Sequence, residues 1–86
     1  MALSDEVERI LRGAGEHGPD GQIGGFVVED RDGAVAVWWR TSLSVNLDAL
    51  RRFFLGRYAR TLRTAGFLIV DEPSPEPHLI CTRPLV

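Results

Sequence analysis

Apolar residues recur at helical spacing over one long stretch of the chain and crowd into strand-like runs over several short ones. Within Asn46 to Gly66, Leu47, Leu50, Phe54, Tyr58, Leu62 and Ala65 follow three- and four-residue steps and share one stripe of an α-helix. Asn46 is a good N-cap, Val45 and Leu50 occupy staple positions, and Asp48 lies in the first turn, where the helix dipole favours an anion. Gly66 is the natural left-handed residue after the last turn, which holds Arg63. Gly56 weakens the helix interior by about 1 kcal/mol relative to alanine.

A shorter helix is predicted from Ser4 as N-cap, with Leu3, Val7, Ile10, Leu11 and Ala14 on one face and Asp5, Glu6 and Glu8 in or near its first turn. Gly13 and Gly15 end it. The segment from Gly13 to Gly25, with six of the chain's nine glycines and Pro19, reads as a solvated loop.

Residues 25–40 then read as a β-hairpin: strand-forming residues on either side of D-R-D-G. Two registers are open. A two-residue turn at Asp32-Gly33 places Phe26 and Val28 on the face of Val35, Val37 and Trp39, whereas a bulged turn over Asp30 to Gly33 aligns them with Ala36 and Trp38. The first groups the bulky residues better and is favoured. Phe67 to Val70 forms a third strand, E-P-S-P-E-P a connection, and H-L-I-C-T-R a fourth strand stopped by Pro84.

The predicted class is therefore α+β, in the order α-β-β-α-β-β, with a four-stranded, mainly antiparallel sheet against two helices. The two helix-plus-hairpin halves share topology, with no residue-level identity evident between them. Phe67 to Val70 and Ala34 to Trp39 are apolar at every position, whereas strands covered on one side alternate with polar residues. Either the helices divide between the two faces, or a second copy or a protein partner covers one of them.

Length and charge narrow the function. The 86 residues suit one small domain, residues 1–86. A net charge of −2 disfavours a general binder of nucleic acid or anionic membrane. The chain begins without the pattern of a secretory signal and holds no apolar run of spanning length. Its one cysteine, Cys81, forms no intrachain disulfide and suits a reducing compartment, so a cytoplasmic protein is expected.

Site chemistry is sparse. G-A-G-E-H-G, residues 13–18, matches a dinucleotide fingerprint in letters, but a helix precedes it where a strand is required. His78 and Cys81 stand three apart on a strand and point to opposite faces, so no metal site is expected. Cys81 reads as a buried hydrophobe, and Ser74 has no evident base. Glu16, His17 and Asp20 lie on the glycine loop, whereas catalysis needs groups fixed by a packed shell. Glu29, Asp30 and Asp32 surround a turn that favours acids for its own geometry. No cofactor and no enzymatic activity are expected.

The run L-R-T-A-G-F-L-I-V, followed by a short loop, His78 and a strand, resembles the final helix-to-hairpin portion of small bacterial mRNA-interferase toxins of the HicA type. That resemblance implies a small ribonuclease. The toxins carry a glycine-serine-histidine signature where this chain has P-E-P-H.

The remaining signal is on the long helix. It carries Arg51, Arg52, Arg57, Arg60 and Arg63, half of the chain's ten basic residues. Arg52, Arg60 and Arg63 lie opposite the core, Arg57 flanks them, and Phe53 sits among them. This face is solvated, paired with Asp5, Glu6 and Glu8, or a contact surface. Aromatic-plus-arginine mixtures are enriched at interfaces and also suit single-stranded nucleic acid. The expected function is a non-catalytic interaction or dimerisation module. Its contacts are Trp38 or Trp39 on the sheet and Arg52, Phe53, Arg57, Arg60 and Arg63 on the helix. Nucleic-acid binding through the same arginines is the alternative.

Overall fold

The computed structural model describes residues 2–18, 24–41 and 47–84. Its elements follow the order α1 (Leu3–Gly13), β1 (Gly25–Arg31), β2 (Ala34–Arg40), α2 (Asp48–Thr64), β3 (Leu68–Glu72) and β4 (His78–Thr82). The strands form one antiparallel sheet in the order β1-β2-β4-β3. The fold is α+β.

The hairpin adopts the two-residue turn. Phe26 pairs with Trp39, Val28 with Val37 and Arg31 with Ala34. Asp32 and Gly33 both take positive φ, 31° and 83°, which is the twist a tight hairpin between right-twisted strands requires. Phe26, Val35, Val37 and Trp39 consequently share a face with Leu79 and Cys81, and both helices pack on it through Val7, Leu11, Leu55, Tyr58 and Leu62. The helices do not divide between the two faces.

Details of both helices differ from the pattern-based expectation. On α2 the buried residues are Leu55, Tyr58, Ala59 and Leu62, with Leu47, Leu50 and Phe54 at the border. Ala65 is exposed. Four-residue steps drift by about 40° each around an α-helix, so a stripe drawn through them leaves the true contact line. The predicted cap Asn46 and staple residue Val45 lie outside the described residues, and Leu47 stands at the cap position. On α1, Ser4 is not the cap. The helix begins at Leu3, and the Ser4 hydroxyl instead donates to Asp30 Oδ2 at 2.9 Å, tying α1 to β1. Ala14 is exposed.

Gly56 faces solvent, and a methyl group there would meet open space. Gly56→Ala should therefore stabilise the fold by about 1 kcal/mol, seen as a higher urea midpoint at unchanged slope. A lower midpoint would mean that the glycine is required for a bend.

The two halves are more alike than the sequence pattern indicates. Both helices end in the same motif. Gly15 and Gly66 take φ of 90° and 100°, Gly15 N–H donates to Arg12 O and Glu16 N–H to Leu11 O. Likewise Gly66 N–H donates to Arg63 O and Phe67 N–H to Leu62 O. The β2–β4 ladder is centred on Ala36 opposite Ile80, and matching those two residues matches Glu29 with Val70 and Phe26 with Phe67. The sequences then align. L-R-G-A-G (11–15) matches L-R-T-A-G (62–66), and G-F-V-V-E-D (25–30) matches G-F-L-I-V-D (66–71). Residue-level identity is thus present, related by a pseudo-twofold axis through the sheet. It is hidden in the sequence because residues 16–24 separate the two matching blocks in the first half, whereas Gly66 serves both in the second.

Candidate interaction surfaces

One sheet face carries no helix. Side chains alternate along each strand, so Val27, Ala36, Trp38, His78, Ile80, Leu68 and Val70 belong to it. Its two ends differ in chemistry. Over β2 and the start of β4, Trp38 stacks on His78 with ring centroids 3.9 Å apart and planes at 18°. The guanidinium groups of Arg40 and Arg31 lie 4.8 and 5.7 Å from the centre of the Trp38 ring. These arginines are held by carboxylates, Arg40 by Glu76 at 2.7 Å and Arg31 by Glu29 at 3.1 Å. Neighbouring polar side chains therefore shield Trp38 on a face without a helix, and it is buried.

The other end is bare. Leu68 and Val70 on β3 are 53% and 59% exposed, beside half-buried Ile80 on β4. Among the described residues, they and Phe53 are the large apolar side chains that the fold leaves in solvent.

The predicted helix contacts separate into two groups. Arg52, Phe53, Arg60 and Arg63 are exposed, Phe53 by 57%, and none of these arginines forms an ion pair with another described residue. Arg57, although exposed, and half-buried Arg51 are ion-paired within the chain. Arg57 bridges to Glu16 at 2.9 Å while lying over the rings of Phe53 and Phe54. Arg51 binds Asp48 at 3.2 Å and reaches Glu76 at 3.6 Å. Pairing with the acids of α1 does not occur: Glu8 binds Arg12, and Glu6 binds Arg83. Trp39, also predicted as a contact, stacks on Phe54 at 5.4 Å inside the core.

Glu16 is the polar residue that sequence reasoning misplaced. It is buried, although it comes from the glycine loop. Its position follows from the end of α1: in this motif the residue after the left-handed glycine turns back toward the helix, where Phe67 does the same for α2. A carboxylate in that apolar position needs a cation, which Arg57 supplies. Burial, reinforced by the charge of Glu16 and offset by Arg57, pushes the Tyr58 hydroxyl well above its ordinary pKa. The letters G-A-G-E-H-G therefore have a structural explanation in the turn at Gly15. Asp20 lies outside the described residues.

Burial, with a smaller contribution from the charge of Glu6, likewise pushes the Cys81 thiol up to about 11, so it stays protonated near neutral pH. His78 is buried, and its Nδ1 lies 2.8 Å from the carbonyl oxygen of Glu76. Among the described residues no cluster of three or more histidine, cysteine or carboxylate side chains is placed to hold a metal ion, and no helix is long and apolar enough to cross a membrane.

No protein-family model, curated protein or solved structure matches the chain. The likeness to HicA-type toxins gains no support from these comparisons, and the histidine in that likeness, His78, is buried and stacked on Trp38.

Proposed function

We propose that this chain is a non-catalytic, cytoplasmic protein-interaction module that binds through the helix-free sheet face. The observation that carries this reading is the exposure of Leu68 and Val70 beside Ile80 on a face that neither helix covers. Burying such a patch contributes about 25 cal/mol per Å² of apolar surface removed from water. The fold gains nothing from leaving it open. Apolar centres rimmed by charges are the composition of docking surfaces, and here Glu72, Glu29 and Arg31 form the rim.

Val70→Lys tests this. Its side chain is exposed, so thermal stability should move by no more than about 0.5 kcal/mol, while binding of a hydrophobic dye to the sheet face should fall severalfold. Unchanged dye binding would overturn the reading.

A second reading rests on a different observation, exposed Phe53 among Arg52, Arg60 and Arg63, which suits stacking on a nucleic-acid strand. It requires affinity for single-stranded nucleic acid that falls steeply with salt and is lost in Arg60→Glu with Arg63→Glu. The net charge of −2 favours the protein-binding reading.

A further inference from the structure

The geometry points to a second copy of this chain as the partner: β3 pairs antiparallel with β3 of that copy about a twofold axis at Ile69, joining two sheets into one of eight strands. This rests on the interaction-module reading and specifies its partner. Three observations carry it.

The first is which backbone groups face outward. Arg31 and Ala34 flank a two-residue turn and form a hydrogen-bonded pair, and bonded pairs alternate from there across the sheet. Val35 and Val37 then bond to Cys81 and Leu79, and Ile80 and Thr82 to Val70 and Leu68. Ile69 and Asp71 are left with N–H and C=O aimed away from the sheet. The same alternation turns Phe26 outward on β1, and its N–H indeed leaves the sheet to reach His17 O at 2.9 Å.

The second is the contrast between the two edges, for which the internal repeat provides a control. The β1 edge is covered at Phe26 by His17, held at Asp30 by Ser4, and charged at Glu29 and Arg31. Among the described residues the β3 edge has no covering segment and no side-chain tie like Ser4, and its charges, Asp71 and Glu72, are confined to the end of the strand. Where β1 has Glu29, β3 has exposed Val70. Charged side chains, bulges and covering segments are how folds prevent edge pairing. One repeat carries the covering segment, the Ser4 tie and the mid-strand charge at Glu29, and its counterpart has Val70 at that position and charges at its end alone.

The third is charge. Arg60 and Arg63 stand before β3, and Asp71 and Glu72 end it; none of the four is in an ion pair with another described residue. Antiparallel self-pairing brings the acidic end of each strand beside the basic end of the other, whereas parallel pairing opposes like charges. With the axis at Ile69, each Leu68 also faces Val70 of the second copy across a non-hydrogen-bonded pair. Phe67 N–H is already committed to Leu62 O, so the strand end contributes its carbonyl alone.

Sedimentation velocity on the full chain at low micromolar concentration should show a dimer. Asp71→Arg with Glu72→Arg, and separately Arg60→Glu with Arg63→Glu, should each weaken it by roughly tenfold, and mixing the two variants should restore it. The register is read by disulfide trapping. In a non-hydrogen-bonded antiparallel pair the Cα atoms stand about 4.5 Å apart, within disulfide reach. Leu68→Cys mixed with Val70→Cys should cross-link, and neither variant should cross-link to itself. Self-cross-linking of either variant, or mixing that fails to restore the charge variants, would overturn the proposed pairing. A monomer whose dye binding is lost in Val70→Lys would overturn the dimer and leave the interaction module standing. A monomer without dye binding would overturn both.

Discussion

Trp39→Ala should lower stability by about 3–5 kcal/mol, the usual cost of removing a large buried aromatic side chain. The indole is 1% exposed, lies flat on Phe54 with ring planes 7° apart, and belongs to the cluster that joins α2 to the sheet. The folded state of a chain of this length lies about 4–13 kcal/mol below its unfolded state, so after such a loss a large part of the population would unfold at moderate urea. Phe53→Ala provides the contrast. That ring makes an edge contact with Phe54 and lies beside Arg57, yet it is 57% exposed, and its removal should cost under about 1 kcal/mol. The pair of variants, compared by urea midpoint and slope, fixes the rotation of α2 on the sheet. Equal effects would mean that the helix does not cover Trp39.

The neighbouring tryptophan shows what the sequence could not supply. Alternation along β2 assigns Trp38 and Trp39 to opposite faces, and the hairpin register then follows from grouping bulky residues. Burial of Trp38 does not follow from that grouping. It depends on Arg31, Arg40, His78 and Glu76, which meet only when β4 pairs with β2. Element order, the Asp32-Gly33 turn and the left-handed Gly66 are local properties and were legible. Which helix residues are buried is not local. Leu55 and Ala59 become core because the sheet lies beneath them, and a regular stepwise stripe passes them by.

The arginine face changed most in meaning. Five arginines on one helix read as a single basic surface, yet Arg51 and Arg57 are paired with Glu76 and Glu16, carboxylates from distant loops, although Arg57 stays exposed. What remains is Arg52, Arg60 and Arg63 with Phe53. Arg60 and Arg63 lie in the last turns of α2, which leads directly into the bare β3 strand. The candidate site was half visible in the sequence: excess apolarity of Phe67 to Val70 indicated a second covered face, while its confinement to the β3 end required the fold.

Gly25→Ala should cost about 3 kcal/mol or more, a large effect for one methyl group. A Cβ at this position would overlap the carbonyl oxygens of His17 and Gly18, which are backbone atoms with no rotamer to change. The segment 16–18 would have to leave β1, breaking the bond from Phe26 N–H to His17 O. Glu16 is the next residue in that segment, so its bridge to Arg57 would be strained too, leaving a buried carboxylate without its cation. Gly33→Ala isolates the conformational part: that residue has φ of 83° but open space around it, and its cost should stay near 1 kcal/mol. Coupling identifies the route. If Gly25→Ala acts by dislodging Glu16, then Glu16→Gln should cost much less in its presence than alone, a non-additivity of at least about 0.5 kcal/mol. Additive effects would show that the first half is held at Gly25 by packing alone, and that the Glu16–Arg57 bridge is fixed independently by the turn at Gly15.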